Sequence, residues 1–354
     1  MISSVSKVES LELINSRLPI VKEEIKAILG KFVQQNDMNP LIANRVISYY
    51  TECLDYNILG GKLGRARAVV EAHAMCSPAG SGANSVYASV VLGWAVEILQ
   101  AFFLMEDDVM DKGEFRRGNP CWYKLKGVAN GINDGLLLEQ ALYELISTNE
   151  YTRAFSIEAH SILRHASLRT VIGQHLDTCP PLSVLEYTRD QWLSVVRYKT
   201  AFYTFLLPCE LGILVSGKKF TSTDTVQFRE ITLLIGELFQ CQDDYLDCFG
   251  DSSVIGKIGR DIEERKCTWL WYTAIEVCPT ESLRNELVSL YSLGDNSVVD
   301  RVKEIYTQIG IHEEYTVFCE RISKKIQSEI EQLEAKELQN LSNWMLEYTV
   351  NRTK

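Results

Sequence analysis

Apolar residues recur along most of this chain at spacings of three and four, which is the period of a helix face. Near the start, Leu11, Ile14, Leu18, Val21, Ile25, Ile28 and Phe32 fall on one such face. Asn39-Pro40 reads as an N-cap followed by proline at the first helical position, opening a helix through Leu54, and Gly60-Gly61 breaks the chain. A long helical stretch is predicted over Ala154–Asp177, stopped by Pro180-Pro181. Ser183 with Glu186 predicts a capping box for the next helix, and Pro208 predicts a kink in the helix carrying Tyr198–Val215. No period-2 strand and no βαβ rhythm is evident. The predicted fold is all-α: a single large bundle of long, mostly antiparallel helices around a central cavity, one domain over 1–354.

The most apolar helix has an unusual end. Trp94–Met105 holds only Glu97 and Gln100 as polar groups, then gives way to Asp107-Asp108-Val109-Met110-Asp111. Carboxylates four apart on a helix share a face and repel each other, so a buried helix ending this way calls for a counter-charge. A second segment, Glu237–Gly250, repeats the pattern with Asp243-Asp244-Tyr245-Leu246-Asp247. Each motif has a Phe four residues before its first Asp, Phe103 in one and Phe239 in the other. Two such ends suggest two walls of one cavity, bridged by a hard cation that prefers oxygen ligands.

Composition narrows the partners. The chain has 354 residues, 46% hydrophobic, with 8 prolines and no low-complexity linker. Its net charge of −11 argues against nucleic acid and anionic membranes. The 10 cysteines lack metal-ligand spacing and read as reduced thiols, and the five histidines show no ligand pattern either. No segment reads as a secretory signal, a transit peptide or a membrane span, so a cytoplasmic protein is expected. Cations cluster in short contexts: Lys62 and Arg65 after the glycine break, Arg116-Arg117 after the first acidic motif, Lys199-Thr200, and Lys257 and Lys266 after the second. Acidic metal motifs with dispersed Lys and Arg suit a diphosphate. With no Walker A or GxGxxG loop, the remaining candidate is a hydrocarbon diphosphate in an apolar cavity.

The stretches LQAFFLMEDDVMDKGEFRRGNPCW, RYKTAFYTFLLP and GELFQCQDDYLDCFGDSSVIGKIGRDIEERKCTW, with GGKLGR and GQHLD, resemble the short-chain trans-isoprenyl diphosphate synthases over essentially the whole chain. That resemblance implies an all-α homodimer of the isoprenoid synthase type using Mg²⁺, three ions per active site. It would join isopentenyl diphosphate to dimethylallyl and then geranyl diphosphate, giving a C15 product. Carried onto matching positions, Asp107, Asp111 and Asp243 resemble direct Mg²⁺ ligands, with Asp108, Asp244 and Asp247 supporting them. Arg116, Lys199, Thr200, Gln240, Lys257 and Lys266 match the allylic diphosphate site. Lys62, Arg65, Gln100 and Arg117 match the isopentenyl diphosphate site, and Gln174 and Asp177 line the cavity. Thr200 and Tyr203 match the region of the allylic cation, and Phe102 and Phe103 form a floor that limits product length.

Two departures stand out: Gly64 and Ala66 where the family has Asn and Gly, and a tail, YTVNRTK, that is less basic than usual. Alternative readings are a synthase with a C10 or C20 product, a terpene synthase on the same fold, and a catalytically silent regulatory subunit. A terpene synthase is expected to lack the isopentenyl-site residues, and a silent subunit to have eroded acidic motifs; both sets are intact.

Overall fold

The computed structural model describes residues 7–35, 38–78, 82–179, 181, 183–251 and 259–351. In chain order the helices are α1 (Lys7–Gln35), α2 (Pro40–Ile58), α3 (Gly64–Cys76), α4 (Ala83–Met110), α5 (Trp122–Lys126), α6 (Val128–Thr148), α7 (Ser156–Thr178) and α8 (Arg189–Val195). A π-helix (Val196–Leu206) follows, then α9 (Leu207–Ser216), α10 (Ser222–Phe249), α11 (Trp269–Val277), α12 (Glu281–Leu293), α13 (Val299–Gln308), α14 (Ile311–Glu331) and α15 (Lys336–Val350). The all-α expectation holds. The described residues form two compact units, one running to Arg164 with Leu207–Lys219 added, the other comprising His165–Leu206 and the chain from Phe220 onward.

The first unit is built on α4. Val90, Leu92, Trp94, Ala95, Val96, Ile98 and Leu99 are fully buried, and Trp94 Nε1 donates to the Ile14 carbonyl of α1 at 3.0 Å. An 18-residue window of α4, of mean hydropathy 1.8, is apolar enough to cross a membrane, but 83% of it is buried inside the protein. Close approach needs glycine in two places. A Cβ on Gly212 of α9 would lie 2.4 Å from the Val69 carbonyl oxygen of α3. A Cβ on Gly93 of α4 would lie 3.1 Å from the Ala66 carbonyl oxygen. The second unit is built on α10, whose Phe228, Ile231, Leu233, Ile235, Leu238 and Cys241 are buried against the π-helix and neighbouring helices.

Several local expectations need correction. On α1 the buried positions are Ile14, Val21, Ile25 and Val33, while Phe32 is exposed, because 3.6 residues per turn rotates a long regular stripe off its face. The Asn39 cap is present, its Oδ1 accepting from Leu41 N at 2.9 Å, but α2 runs on to Ile58. Ser183 and Glu186 do form a capping box, yet it closes a short 3₁₀ turn, and α8 is capped by Thr188 instead. Pro208 stands second in α9, and just before it the chain widens into the π-helix, where the missing proline N–H interrupts the regular ladder. A two-residue ladder pairs Phe115 with Pro120 and Arg116 with Asn119, too short for strand periodicity to register.

Candidate active site

In the first unit, the acidic motif occupies the last turn of α4, with Asp111 as its C-cap. Negative charge there is opposed by the helix dipole by about 0.3–1 kcal/mol per group, so the motif needs cations. Arg116 supplies one. Its Nε lies 2.9 Å from Asp108 Oδ1, its Nη2 binds that oxygen too, and Nη2 is 3.2 Å from Asp107 Oδ2. Burial would lower the Arg116 guanidinium, but Asp108 and Asp107 outweigh it and hold it charged. Asp108 is 5% exposed; burial raises its carboxyl, partly offset by Arg116, and the double hydrogen bond on one oxygen marks the pair as ionic. Asp107 and Asp111 stay half-buried on one face. A hard cation would meet oxygen donors of the right kind there.

The hairpin loop aims the next arginine. Arg117 and Gly118 both have positive φ, 54° and 78°, the pattern of a tight two-residue turn. The non-glycine residue in that conformation is held by its own side chain: Arg117 Nη1 donates to the Asn57 carbonyl at 3.0 Å and the Leu59 carbonyl at 2.8 Å, at the end of α2. Gly61 makes room, since a Cβ there would fall 2.9 Å from Arg117 Nη2. Burial lowers the Arg117 guanidinium, Glu97 opposes that, and the positive fields of Arg116 and Arg65 add to it. The charge of Arg65 is thus felt at Arg117. Lys62 sits exposed just before α3 and Arg65 in its first turn.

Sequence reasoning missed Glu97. It is 3% exposed, and its Oε1 accepts from the backbone N–H of Ala66 at 3.0 Å, capping the start of α3 where Gly64 offers no side chain. Its signal was its isolation in an apolar run, with Gln100 one turn on along the same face. Phe102 is buried and Phe103 half-buried, their ring centroids 5.1 Å apart. Phe102 packs toward α6, where a Cβ on Gly135 would meet it at 3.3 Å. Glu106 lies over the same glycine, and burial pushes its carboxyl up to about 7.

In the second unit the motif again fills the last turns of a long helix, α10. Asp244 is 4% exposed and saturated: Oδ2 accepts from Trp192 Nε1 at 2.9 Å and Trp269 N at 2.7 Å, and Oδ1 from Gln240 Nε2 at 2.9 Å. Burial raises its carboxyl against those donors. Asp247 Oδ2 accepts from Asp261 N at 3.0 Å. Asp243 remains half-buried. The middle aspartate of each motif therefore anchors structure. Asp247, expected among the supporting carboxylates, is half-buried like Asp243. Trp192 and the Trp269 backbone amide carry no sequence mark of that role.

Lys199 and Thr200 lie in the π-helix. A Cβ on Gly173 of α7 would sit 2.1 Å from Lys199 N, and one on Gly236 of α10 would sit 2.3 Å from Ala201 Cβ, so two glycines clamp this segment. Thr200 Oγ1 donates to Gln240 Oε1 at 2.8 Å. Lys199 Nζ and Lys266 Nζ both reach Asp177 Oδ2, at 2.6 and 2.8 Å. Gln174 and Tyr203 are half-buried on the same two elements, α7 and the π-helix. Lys257 lies outside the described residues, as do Pro180 and the last three residues of the tail.

A family model described as polyprenyl synthetase matches residues 47–309. The farnesyl pyrophosphate synthase of Saccharomyces cerevisiae is 34% identical over 330 residues, covering 90% of this chain and 93% of the yeast protein. That of Rattus norvegicus is 37% identical over 295 residues, covering 82% and 83%. The T. brucei farnesyl diphosphate synthase in complex with risedronate superposes with a TM-score of 0.86 at 29% identity, over 98% of this chain and 100% of that one. With the family model spanning most of its length, and both acidic motifs and their basic companions inside the match, the chain belongs to the polyprenyl synthetase family.

Proposed function

We propose that this prenyltransferase condenses isopentenyl diphosphate with dimethylallyl diphosphate, and then with geranyl diphosphate, to give farnesyl diphosphate and diphosphate. The observation that carries the reading is the shared design of the two motifs. Each closes a long helix, buries and bonds its middle aspartate, and leaves its first aspartate half-buried, with Arg116 reaching Asp107 in the first motif. Asp107, Asp111 and Asp243 would hold Mg²⁺, three ions per active site, with Asp108, Asp244 and Asp247 fixing their surroundings. Bound Mg²⁺ supplies Lewis-acid neutralisation of diphosphate charge.

The chain's own groups do the rest. Arg116, Lys199 and Lys266 stabilise the charge that develops on the leaving diphosphate as the allylic C–O bond breaks. Lys257 belongs to the same set by its place in the motif. Lys62, Arg65, Gln100 and Arg117 hold the isopentenyl diphosphate, whose double bond attacks the allylic cation. The hydroxyls of Thr200 and Tyr203 present dipoles to that cation, and apolar walls keep water from quenching it. The working form is a cytoplasmic homodimer of a single-domain chain, supported by apolar helix faces left exposed in each protomer.

The test is the product profile from dimethylallyl or geranyl diphosphate, with and without isopentenyl diphosphate. Farnesyl diphosphate is expected only when isopentenyl diphosphate is present, and turnover is expected to stop in chelator and return with Mg²⁺. Asp107→Ala and Asp243→Ala should each lower the rate by orders of magnitude with helicity intact. Cyclised hydrocarbon from geranyl diphosphate alone, or full activity in excess chelator, would refute the assignment.

A further inference from the structure

Asp177 is placed where a carboxylate is costly. It is the penultimate residue of α7, at the negative end of the helix dipole, and its side chain is only 9% exposed. Burial alone would raise its carboxyl; Lys199 and Lys266 outweigh that and hold it below the ordinary carboxylate range. Both ammonium groups bind the same oxygen, Oδ2. They come from separate elements, Lys199 from the π-helix and Lys266 from the segment before α11. Without a shared anion, two like charges this close would separate.

The surroundings fix all three groups. One turn before Asp177, Gly173 lets α7 press against the Lys199 backbone. Tyr291 OH donates to the Lys266 carbonyl at 2.7 Å, and Tyr187 OH to the Arg265 carbonyl at 2.8 Å, holding the backbone that carries Lys266. Each ammonium has three N–H donors, and Asp177 takes one from each. Lys266 Nζ also lies 3.7 Å from Glu264 Oε2, so Asp177 is the nearer of these two acids and the one it shares with Lys199.

We infer that Asp177 is a positioning residue that holds Lys199 and Lys266 together as a charged pair, so that one phosphoryl group of the allylic diphosphate is taken by both. This rests on the prenyltransferase reading above. It predicts a substrate-selective defect. In Asp177→Asn the KM for dimethylallyl diphosphate should rise at least tenfold, while the KM for isopentenyl diphosphate stays within twofold. Asp177→Glu, which keeps the charge, should recover most of the loss. Calorimetric titration of the Mg²⁺-loaded protein with inorganic diphosphate gives a readout independent of turnover, and binding should weaken in Asp177→Asn with circular dichroism unchanged. Equal changes in both KM values, or unchanged or tighter diphosphate binding in a folded Asp177→Asn, would overturn the inference. If the wild type binds diphosphate but makes no prenyl product, the functional reading fails, while the diphosphate titration still judges the role of Asp177.

Discussion

At the residue scale, the acidic motifs were legible because the same spacing of repelling carboxylates recurs at the ends of two apolar segments. Which carboxylate anchors and which faces outward was less legible, because it depends on donors distant in sequence: Arg116 for Asp108, and Trp192 with the Trp269 amide for Asp244. Glu97 and Asp177 show the same limit. Each is a lone acid whose role is set by a partner 31 or 89 residues away. The cations should separate by substrate. Lys62→Ala or Arg65→Ala removes a charge-assisted contact of roughly 1.5–3 kcal/mol and should chiefly raise the KM for isopentenyl diphosphate. Lys199→Ala should chiefly raise that for the allylic substrate. Steady-state kinetics with each substrate varied in turn reads this directly, and identical effects of all three changes on both substrates would contradict the division of the sites.

At the scale of the element, the apolar run of α4 and its acidic end were readable, because both are written in the sequence, but its start at Ala83, well before Trp94, was not. The π-helix and the hairpin at Arg117 were not. A π-turn depends on glycines from α7 and α10 approaching the chain, and a two-residue ladder has no periodicity to detect. Along α4, four residues rotate about 400° and rise about 6 Å, so Phe103 lies one turn before Asp107, with Phe102 beside it. A diphosphate held at Asp107 and Asp111 directs its hydrocarbon toward these rings. Phe103 is the less buried of the two, and Phe102 closes the gap toward α6. The double change Phe102→Ala, Phe103→Ser should cost several kcal/mol of stability, since it removes two aromatic rings from a packed region. The folded variant should release C20 or longer diphosphates on chromatography. An active variant that still stops at C15 would place the floor elsewhere.

At the scale of the whole molecule, the net charge of −11 makes each copy repel another, so any self-association must use a surface low in charge. The α6 face is such a surface. Val128, Ile132 and Leu136 recur every four residues at 51%, 39% and 48% exposure, while Gly131, Asp134, Gly135 and Leu138 turn inward. From Val128 to Leu138 the one ionisable side chain is Asp134, and it is buried, held by Tyr49 OH at 2.7 Å and Trp122 Nε1 at 2.8 Å. On α7, Leu168, Val171 and Ile172 are exposed as well, at 60%, 55% and 43%. Apolar stripes of this kind are unusual on a monomer, and a two-fold dimer covers a stripe with its own copy. Light scattering should therefore report twice the 40.2 kDa chain mass. Ile132→Asp with Leu136→Asp would bring four like charges onto the paired faces, two from each copy, and should shift the particle to 40.2 kDa. Because both side chains are already solvent-facing in the protomer, the helical circular dichroism signal should persist through that shift. A double variant that remains at twice the chain mass would exclude this face from the dimer contact.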